Sequence, residues 1–219
     1  MKIKMHLNNL IIIALLLSTL SLPAQSGHWK LKKEADGLKI FLRDAEDSNI
    51  KEVKIETTFD ASLSSIVTVL KDVPAYPDWI YKCAKAERLE PGTNTSSLYY
   101  CEVDFPWPLT DRDFIAKSKL RQDPDTRHVF IDVVSAPAHL PAKDGIVRIE
   151  TLNIHYEFIP LSNDKVRMNY RLHSDPGGAL PAWLVNMAVD NGPANTIKGM
   201  REMLKQEKYR GAKLAFLKD

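Results

Sequence analysis

The sequence has little of what usually marks an enzyme, a metalloprotein or a chain of several domains. It contains only two cysteines and nine glycines among 219 residues. It has no Gly-x-Ser-x-Gly, His-Glu-x-x-His, Cys-x-x-Cys or phosphate-loop motif, and its histidines are scattered singly. No Gly/Ser-rich linker or repeat divides it. The sequence therefore predicts no metal site, no cofactor, no catalytic residue and no enzymatic activity.

The chain after residue 26 also has no excess of positive or negative charge. The formal net charge of the full chain is +2, and its first 26 residues carry two lysines and no acid, so the remainder has a net charge of zero. Its Lys and Arg residues are interleaved with Asp and Glu rather than clustered. Because nucleic-acid binding needs a basic face, the sequence predicts no nucleic-acid partner.

Long apolar runs are absent beyond the N-terminus. There, two lysines precede a short apolar run at residues 10–17, which gives way to small residues, the pattern of a secretory signal peptide. The run is shorter than the roughly 18 residues that a membrane-spanning helix needs, although an uncleaved anchor is the alternative interpretation. We therefore predict a signal peptide over residues 1–26 and one domain over residues 27–219, exported to the periplasm or secreted.

The two cysteines allow two interpretations. Cys83 and Cys101 lie on either side of Pro91-Gly92, where a hairpin would turn. In an oxidising compartment the two thiols could pair across neighbouring strands. They could equally be two small buried hydrophobic side chains. The sequence leaves both interpretations open.

The dominant period of the remaining chain is two. Val53, Ile55 and Phe59, for example, alternate with charged or polar residues, which is typical of a strand with one solvent-facing side. Turn residues separate several such stretches. The predicted strands are residues 38–43, 51–59, 84–89, 98–105, 114–121, 127–134, 146–158 and 165–173.

Two segments have helical periodicity instead. Asp60 is placed to cap a helix whose apolar stripe includes Leu63, Ile66 and Val67. A second helix is predicted over residues 181–208, with a kink or interruption at Gly192-Pro193. Strands followed by a long final helix, with one short helical insertion, predict an α+β fold.

Three motifs, in this order and spacing, resemble the START domains, the steroidogenic-acute-regulatory-related lipid-transfer domains. They are residues 106–114 (PWPLTDRDF), 145–148 (GIVR) and 175–183 (DPGGALPAW). The resemblance covers nearly all of the chain after the signal peptide and is greatest to the small secreted bacterial type. It implies a helix-grip fold, in which a curved antiparallel sheet wraps around a long C-terminal helix and encloses an apolar cavity that holds one lipid.

Strand parity and helix periodicity select the side chains that would face such a cavity. Each of them could instead simply pack in the core. The candidate ligand-binding residues are Phe114, Ala116, Ser118, Arg148, Glu150, Leu152, Ile154, Met168, Tyr170, Trp183, Met187 and Met200.

Arg148 and Glu150 share the inward parity of Leu152, where a charge is costly unless it is paired. Arg148 could contact a lipid headgroup, form an ion pair with Glu150, or be turned outward by a bulge. Arg112, between two aspartates, is predicted to have a structural role.

One departure from the family bears on the ligand. Sterol-carrying members have an arginine six residues after the arginine of the Arg-Asp-Phe run, and this chain has Ser118 there. The resemblance therefore disfavours a sterol. Phospholipid, fatty acid, hopanoid or another small hydrophobic compound all remain open.

These observations predict a monomeric protein that binds one lipid or lipid-like molecule and carries or senses it in the cell envelope. Its contact with the membrane would be transient, and Gly177-Gly178 and Gly192-Pro193 are candidate hinges for a gate. Two alternatives stay open. One is a cavity-based enzyme of the same superfamily, with Glu150 acting beside Arg148 or Tyr170. The other is an envelope interaction module with a filled cavity.

Overall fold

The computed structural model describes residues 27–161 and 164–219. The signal peptide predicted over residues 1–26 lies outside this range. Within it the strands are β1 Lys30–Ala35, β2 Leu38–Arg43, β3 Glu52–Asp60, β4 Cys83–Arg88, β5 Ser96–Val103, β6 Arg112–Gln122, β7 Val129–Ser135, β8 Val147–Arg148, β9 Thr151–Pro160 and β10 Lys165–Asp175. The helices are α1 Leu63–Lys71, α2 Ala182–Ala188 and α3 Asn191–Met203, with short 3-10 helices at Val73–Asp78 and Pro137–His139.

Nine of these strands form a continuous antiparallel sheet in the described part of the chain. Its order is β1-β2-β3-β10-β9-β7-β6-β5-β4, and β8 adds a short parallel pairing with β6. The sheet is curved, and the last helix or strand along the described chain is the helix α3. The predicted α+β class, with a curved antiparallel sheet and a C-terminal helix, is confirmed.

Strand parity decides which face of the sheet is buried. Val53, Ile55 and Phe59 of β3 are at most 2% exposed, whereas the intervening residues contact solvent at least in part. The buried face belongs to one core that also includes Ile66 of α1 and Ile197 of α3. The burial of this face against helices is the main apolar contribution to the stability of the sheet.

Two features of the sheet differ from the prediction. The sequence analysis missed β1, because its residues are charged and its side chains are largely exposed, which leaves no alternating pattern. The single strand predicted over residues 146–158 is wrong. The chain leaves β8 after its parallel pairing with β6 and begins β9 only at Thr151, so the inward parity shifts: Ile149 is buried and Glu150 is exposed.

The cap of α1 is also not the predicted one. Asp60 is the last residue of β3, and Ser62 is the N-cap. The Oγ atom of Ser62 accepts a hydrogen bond from the Ser65 backbone N–H at 3.2 Å, which satisfies one of the free donors of the first turn. The predicted apolar stripe is confirmed, because Leu63, Ile66 and Val67 are at most 1% exposed.

The C-terminal helix is divided in two. The long helix predicted over residues 181–208 ends at Met203, and the break between α2 and α3 falls at residues 189–190 rather than at Gly192-Pro193. Pro193 lies in the first turn of α3, where its missing N–H costs no helical hydrogen bond. The helix α3 buries Ile197, Met200 and Met203, whereas α2 has no buried residue.

Gly199 allows α3 to approach the 3-10 segment that follows α1. A Cβ atom at this position would lie 2.3 Å from the carbonyl oxygen of Trp79. The side chain of Trp79 is 5% exposed, and it packs edge-on against the ring of Tyr76 with 5.5 Å between the ring centroids. The glycine thus sets the distance between the last helix and this aromatic pair.

Candidate functional site

A cavity of about 800 Å³ lies inside the curved sheet. One wall is formed by the inward-facing residues of β5, β6, β7, β9 and β10, and the other by the 3-10 segment after α1, by α2 and by the first turn of α3. This volume falls within the range of about 300–1,000 Å³ that is usual for small-molecule sites in proteins. The interior of the fold is therefore hollow, as the internal cavity of the sequence analysis requires.

The sheet side of the cavity is mostly apolar. Residues that are opposite each other in the register form rows across the strands, and Ser118, Val133, Ile154 and Leu172 make one such row. Leu120 and Ile131 extend the apolar surface along β6 and β7. A long apolar molecule can contact this wall without burying an unpaired charge.

Aromatic side chains line the part of the cavity nearest the 3-10 segment. Tyr76 packs edge-on against Tyr99 with a centroid separation of 5.4 Å, and Tyr99 against Phe114 at 6.4 Å. On the neighbouring part of the sheet, Tyr156 and Tyr170 have ring centroids 5.0 Å apart. All five border the cavity, so its wall is both apolar and rich in aromatic rings.

The tyrosine hydroxyls differ in their hydrogen bonding. The hydroxyl of Tyr76 donates to the carbonyl oxygen of Leu70 at 2.6 Å. The hydroxyls of Tyr99, Tyr156 and Tyr170 have no hydrogen-bond partner among residues 27–161 and 164–219. Burial raises the pKa of each of these three phenols above the ordinary value, so they remain neutral.

Charged side chains border the cavity only near its openings. Within the described residues they are Lys71, which is half-buried, and Lys82 and Asp104, which are exposed. The amino group of Lys71 donates to the carbonyl oxygens of Thr93 and Asn94, at 2.7 and 3.1 Å. The deeper wall is therefore electrically neutral.

Two loops and the helix α2 form one rim of the cavity. Phe105 and Leu109 belong to the β5–β6 loop, while Pro176 and Leu180 precede α2. Leu184 of α2 both borders the cavity and is 39% exposed. The rim thus carries apolar side chains from both sides of the opening.

Arg112 holds these two loops together. Its guanidinium group donates to the carbonyl oxygens of Thr110 on one side and of Pro176 and Gly177 on the other, the last two at 3.3 and 3.4 Å. It also lies over the ring of Phe105, 4.3 Å from the centroid. Arg112 has the structural role predicted for it, but it acts through backbone carbonyls and an aromatic ring rather than through ion pairs with the flanking aspartates.

Large apolar side chains project into solvent beside this rim. Trp107, in the β5–β6 loop, is 92% exposed. Trp183 and Met187 of α2 are each 66% exposed. Together with Leu184 we call these residues the apolar rim. Trp183 and Met187, expected inside the cavity, lie on its outer surface because α2 has no buried face.

The other sequence-predicted residues fall into three groups. Those that border the cavity are Phe114, Ser118, Leu152, Ile154 and Tyr170. Ala116, Met168 and Met200 are fully buried in the core and do not border it. Arg148 and Glu150 do not border it either.

Arg148 is paired with a different acid from the one expected. Its Nε and Nη2 atoms donate to Oδ1 and Oδ2 of Asp113, at 2.6 and 3.0 Å. Nη1 and Nη2 also donate to the carbonyl oxygens of Pro137, Leu140 and Pro141. Glu150 is exposed, because the chain between β8 and β9 reverses the expected parity. The hydrogen bonds to the Asp113 carboxylate raise the pKa of Arg148 further, so its guanidinium group remains charged.

Several cavity residues are not among the candidate ligand-binding residues of the sequence analysis. Tyr76 and Trp79 lie in and just after a 3-10 helix, which has no apolar period to reveal it. Tyr99 and Tyr156 were recognisable by parity, since Tyr99 alternates with the buried Cys101 and Tyr156 follows Ile154 on the inner face of β9. Parity alone cannot distinguish a residue that borders a cavity from one that fills the core.

No group of three or more His, Cys, Asp or Glu side chains within the described ranges is placed to hold a metal ion. No helix in those ranges combines the length and the apolar composition needed to cross a membrane.

A family model described as the START domain matches residues 18–210. The chain belongs to the START domain family. A solved structure of the STAR-related lipid transfer protein from Xanthomonas axonopodis is similar, with 31% identity and a TM-score of 0.76; it aligns with 81% of this START chain and 99% of its own. Human StAR-related lipid transfer protein 5, at 17% identity and a TM-score of 0.73, shares the fold and covers 84% of this chain and 89% of its own.

Relatives by sequence support the same assignment. Protein PA1579 of Pseudomonas aeruginosa, described as uncharacterized, is 30% identical over 176 residues, which are 79% of this chain and 85% of the relative. The phosphatidylcholine transfer protein of Mus musculus is 29% identical over 186 residues, 81% of this chain and 85% of the relative. Of these two relatives, the mouse protein is named for lipid transfer.

Proposed function

We propose that this START protein binds one hydrophobic molecule, a lipid or lipid-like compound, in its cavity and carries or senses it in the cell envelope. The single observation that carries the proposal is the cavity of about 800 Å³, whose deeper wall is apolar and aromatic and whose charged residues lie near the openings. Such a surface binds apolar ligands, because their contact removes apolar area from water. It contributes little binding free energy for polar small molecules.

The relatives support a lipid as the molecule bound. One is named a phosphatidylcholine transfer protein, and the solved bacterial structure is named a STAR-related lipid transfer protein. These names support a lipid as the class of ligand, but they do not identify the individual lipid.

The apolar rim supports a transient contact with a membrane. Trp107, Trp183 and Met187 are exposed beside an opening of the cavity, and water-exposed aromatic and apolar side chains in such a cluster favour the lipid–water interface. Gly177 and Gly178 both have positive φ and lie beside the Arg112 contacts. This glycine pair is one hinge about which the apolar rim would open. We propose that the protein meets the bilayer as a monomer through this face and exchanges its ligand there.

The N-terminal sequence supports the cell envelope as the proposed place of action. The signal peptide predicted over residues 1–26 supports export, and with it the small secreted bacterial type of START domain. Export would bring the carrier to the aqueous space beside the membrane. An apolar ligand needs a carrier protein to cross that aqueous space.

The two alternatives have less support. A cavity-based enzyme was expected to use Glu150, but this side chain is exposed and does not border the cavity, and Arg148 is held by Asp113. An interaction module was expected to have a filled interior, whereas this interior is hollow.

Native mass spectrometry of the mature protein, purified gently from its own envelope, tests the proposal. We expect one stoichiometric added mass that lipid extraction identifies as a hydrophobic compound. Val133→Trp, which fills the cavity, should abolish the added mass. The matched variant Val134→Trp should not, because Val134 is the next residue of β7 and is 46% exposed. A protein that stays free of ligand after several lipids are offered would contradict the proposal, as would equal loading of both variants.

A further inference from the structure

Three cavity hydroxyls lack a hydrogen-bond partner within the described protein. Tyr156 and Tyr170 are opposite each other on β9 and β10, with ring centroids 5.0 Å apart. Tyr99, on β5, borders the same cavity. We call Tyr99, Tyr156 and Tyr170 the tyrosine cluster.

A purely hydrocarbon ligand would not explain the cluster. It would leave three phenol hydroxyls away from bulk water without a hydrogen bond, and an unsatisfied polar group in an apolar site is unfavourable. The three residues are only 5–8% exposed. Tyr76 shows the contrast on the same wall, because its hydroxyl already donates to the Leu70 carbonyl oxygen. The cluster therefore points to a ligand oxygen.

The same wall is unsuited to an anionic group. Among the described residues, the charged side chains that border the cavity are Lys71, Lys82 and Asp104, near its openings. The guanidinium groups of Arg112 and Arg148 are held by loop carbonyls and by Asp113. An anionic phosphate or carboxylate beside the tyrosine cluster would thus be buried without a cationic partner, which is strongly unfavourable.

We propose that the tyrosine cluster binds an uncharged oxygen of the ligand, a hydroxyl, ester or carbonyl, and that the cargo is a neutral lipid such as a diacylglycerol. This inference rests on the proposed function and narrows it. Phenols suit such a group because each can donate to a carbonyl or ether oxygen and accept from a hydroxyl. The apolar row of β6, β7, β9 and β10 would contact the acyl chains.

The test compares ligands that differ only in headgroup. Dioleoylglycerol, dioleoyl phosphatidic acid and dioleoyl phosphatidylcholine are offered in equal amounts to the ligand-free wild-type protein, and the complexes are quantified by native mass spectrometry. We expect dioleoylglycerol to be bound at least about tenfold more tightly than either phospholipid, the ratio that one well-made buried hydrogen bond can supply. Equal or tighter binding of either phospholipid would overturn the inference.

Matched tyrosine variants assign the preference to the cluster. Tyr156→Phe and Tyr170→Phe keep the ring and remove the hydroxyl, so each should weaken dioleoylglycerol binding by about three- to tenfold. Tyr100→Phe is the control, since Tyr100 is the neighbour of Tyr99 on β5, does not border the cavity and donates a hydrogen bond from its hydroxyl to Glu102, so it should leave the preference unchanged. Losses as large in the control as in the cluster variants would contradict the inference.

The two proposals fail in different ways. If wild-type protein binds none of the three lipids and also carries no hydrophobic compound from its own envelope, the proposed function is wrong and the inference falls with it; if it carries another compound, the inference alone is wrong. If it binds lipids without regard to the headgroup, the carrier function stands and the inference alone is wrong. The wild-type comparison needs no variant, so it decides even where a substitution impairs folding.

Discussion

Arg148 and Asp113 form a two-point hydrogen bond in which Nε and Nη2 of the guanidinium group donate to the two carboxylate oxygens, at 2.6 and 3.0 Å. The side chains are only 8% and 1% exposed. The pair joins β8 to β6, and the remaining donors of Arg148 hold the carbonyls of the loop after β7. It is therefore part of the folded framework rather than of the cavity.

Asp113→Asn should destabilise the fold strongly. The substitution leaves the Arg148 charge buried without its partner, and breaking a buried ion pair in this way costs about 3–5 kcal/mol. Urea unfolding followed by fluorescence measures the change. Glu202→Gln is the control, because the Lys205–Glu202 pair is 68–69% exposed, and a change of less than about 0.5 kcal/mol is expected there. Similar losses in the two variants would contradict the assignment.

Gly199→Ala should destabilise the protein, although alanine favours a helix over glycine by roughly 0.5–1 kcal/mol. The new Cβ atom would lie 2.3 Å from the Trp79 carbonyl oxygen, so α3 or the 3-10 segment must move. Thermal unfolding should show a lower Tm. Gly192→Ala, where the nearest atom beyond its own helix and chain neighbours is 4.0 Å away, serves as the control. A higher Tm for Gly199→Ala would show that the close approach does not exist.

Asp72→Asn should reduce stability at neutral pH and have little effect in acid. Burial alone would raise the pKa of Asp72, but the hydrogen bonds from Lys208 and from Tyr209, the latter at 2.7 Å, outweigh it and lower the pKa below its ordinary value of 3.8. A carboxylate with a lowered pKa stabilises the fold above its unfolded pKa, and this contribution is lost as the pH falls through the folded one.

The stability difference between wild type and Asp72→Asn should therefore narrow as the pH falls below 3.8. Tyr209→Phe removes one of the two hydrogen bonds and should show a smaller effect in the same direction. Unfolding free energies measured from pH 7 downward test this. Parallel pH profiles for wild type and Asp72→Asn would rule out the linkage.

Removal of both rim tryptophans should weaken membrane binding. Trp107→Ala with Trp183→Ala takes two exposed indole groups from the apolar rim, so partitioning into vesicles of phosphatidylcholine and phosphatidylglycerol should fall at least about tenfold. Cosedimentation with the vesicles measures it. Leu31→Ala, on the 55% exposed side chain of β1, is the control and should bind as wild type does. Undiminished binding of the double variant would place the contact elsewhere.

Mild oxidation should join Cys83 to Cys101. Both thiols are free and buried, on the paired strands β4 and β5, and the hydrogen bond with Cys101 lowers the pKa of Cys83. Thiol titration of the denatured protein should lose both groups after oxidation, with a gain in stability of about 3 kcal/mol for a loop of this size. Cys83→Ser should retain the remaining thiol. A disulfide-linked dimer in place of the internal bond would contradict the prediction.

The parts of the fold that could be predicted from the sequence are the strands that have one buried face and one solvent-exposed face. In β3 the alternation of Val53, Ile55 and Phe59 with polar residues follows directly from this environment. The charged strand β1 has no buried face of its own and gives no such signal. The break between β8 and β9 depends on pairing with β6, a contact distant in sequence that no local pattern records.

The candidate site was predictable to the extent that strand parity defines it. Ser118 and Ile154 follow the period of their strands and border the cavity. Trp183 and Met187 do not, because α2 separates from α3 at residues 189–190 and presents no buried face, which is a consequence of packing. Trp79 could not be found by period, since it follows a short 3-10 helix.

The pairing of β3 with β10 also bears on how the protein is made. Lys165 lies opposite Asp60 and Leu172 opposite Val53, so strands about a hundred residues apart must meet inside the sheet. Contacts of such long sequence separation slow folding, and until β10 is synthesised β3 has an open edge that can pair with another chain. Because β9 and β10 supply part of its wall, the cavity can close only after β10 has been synthesised.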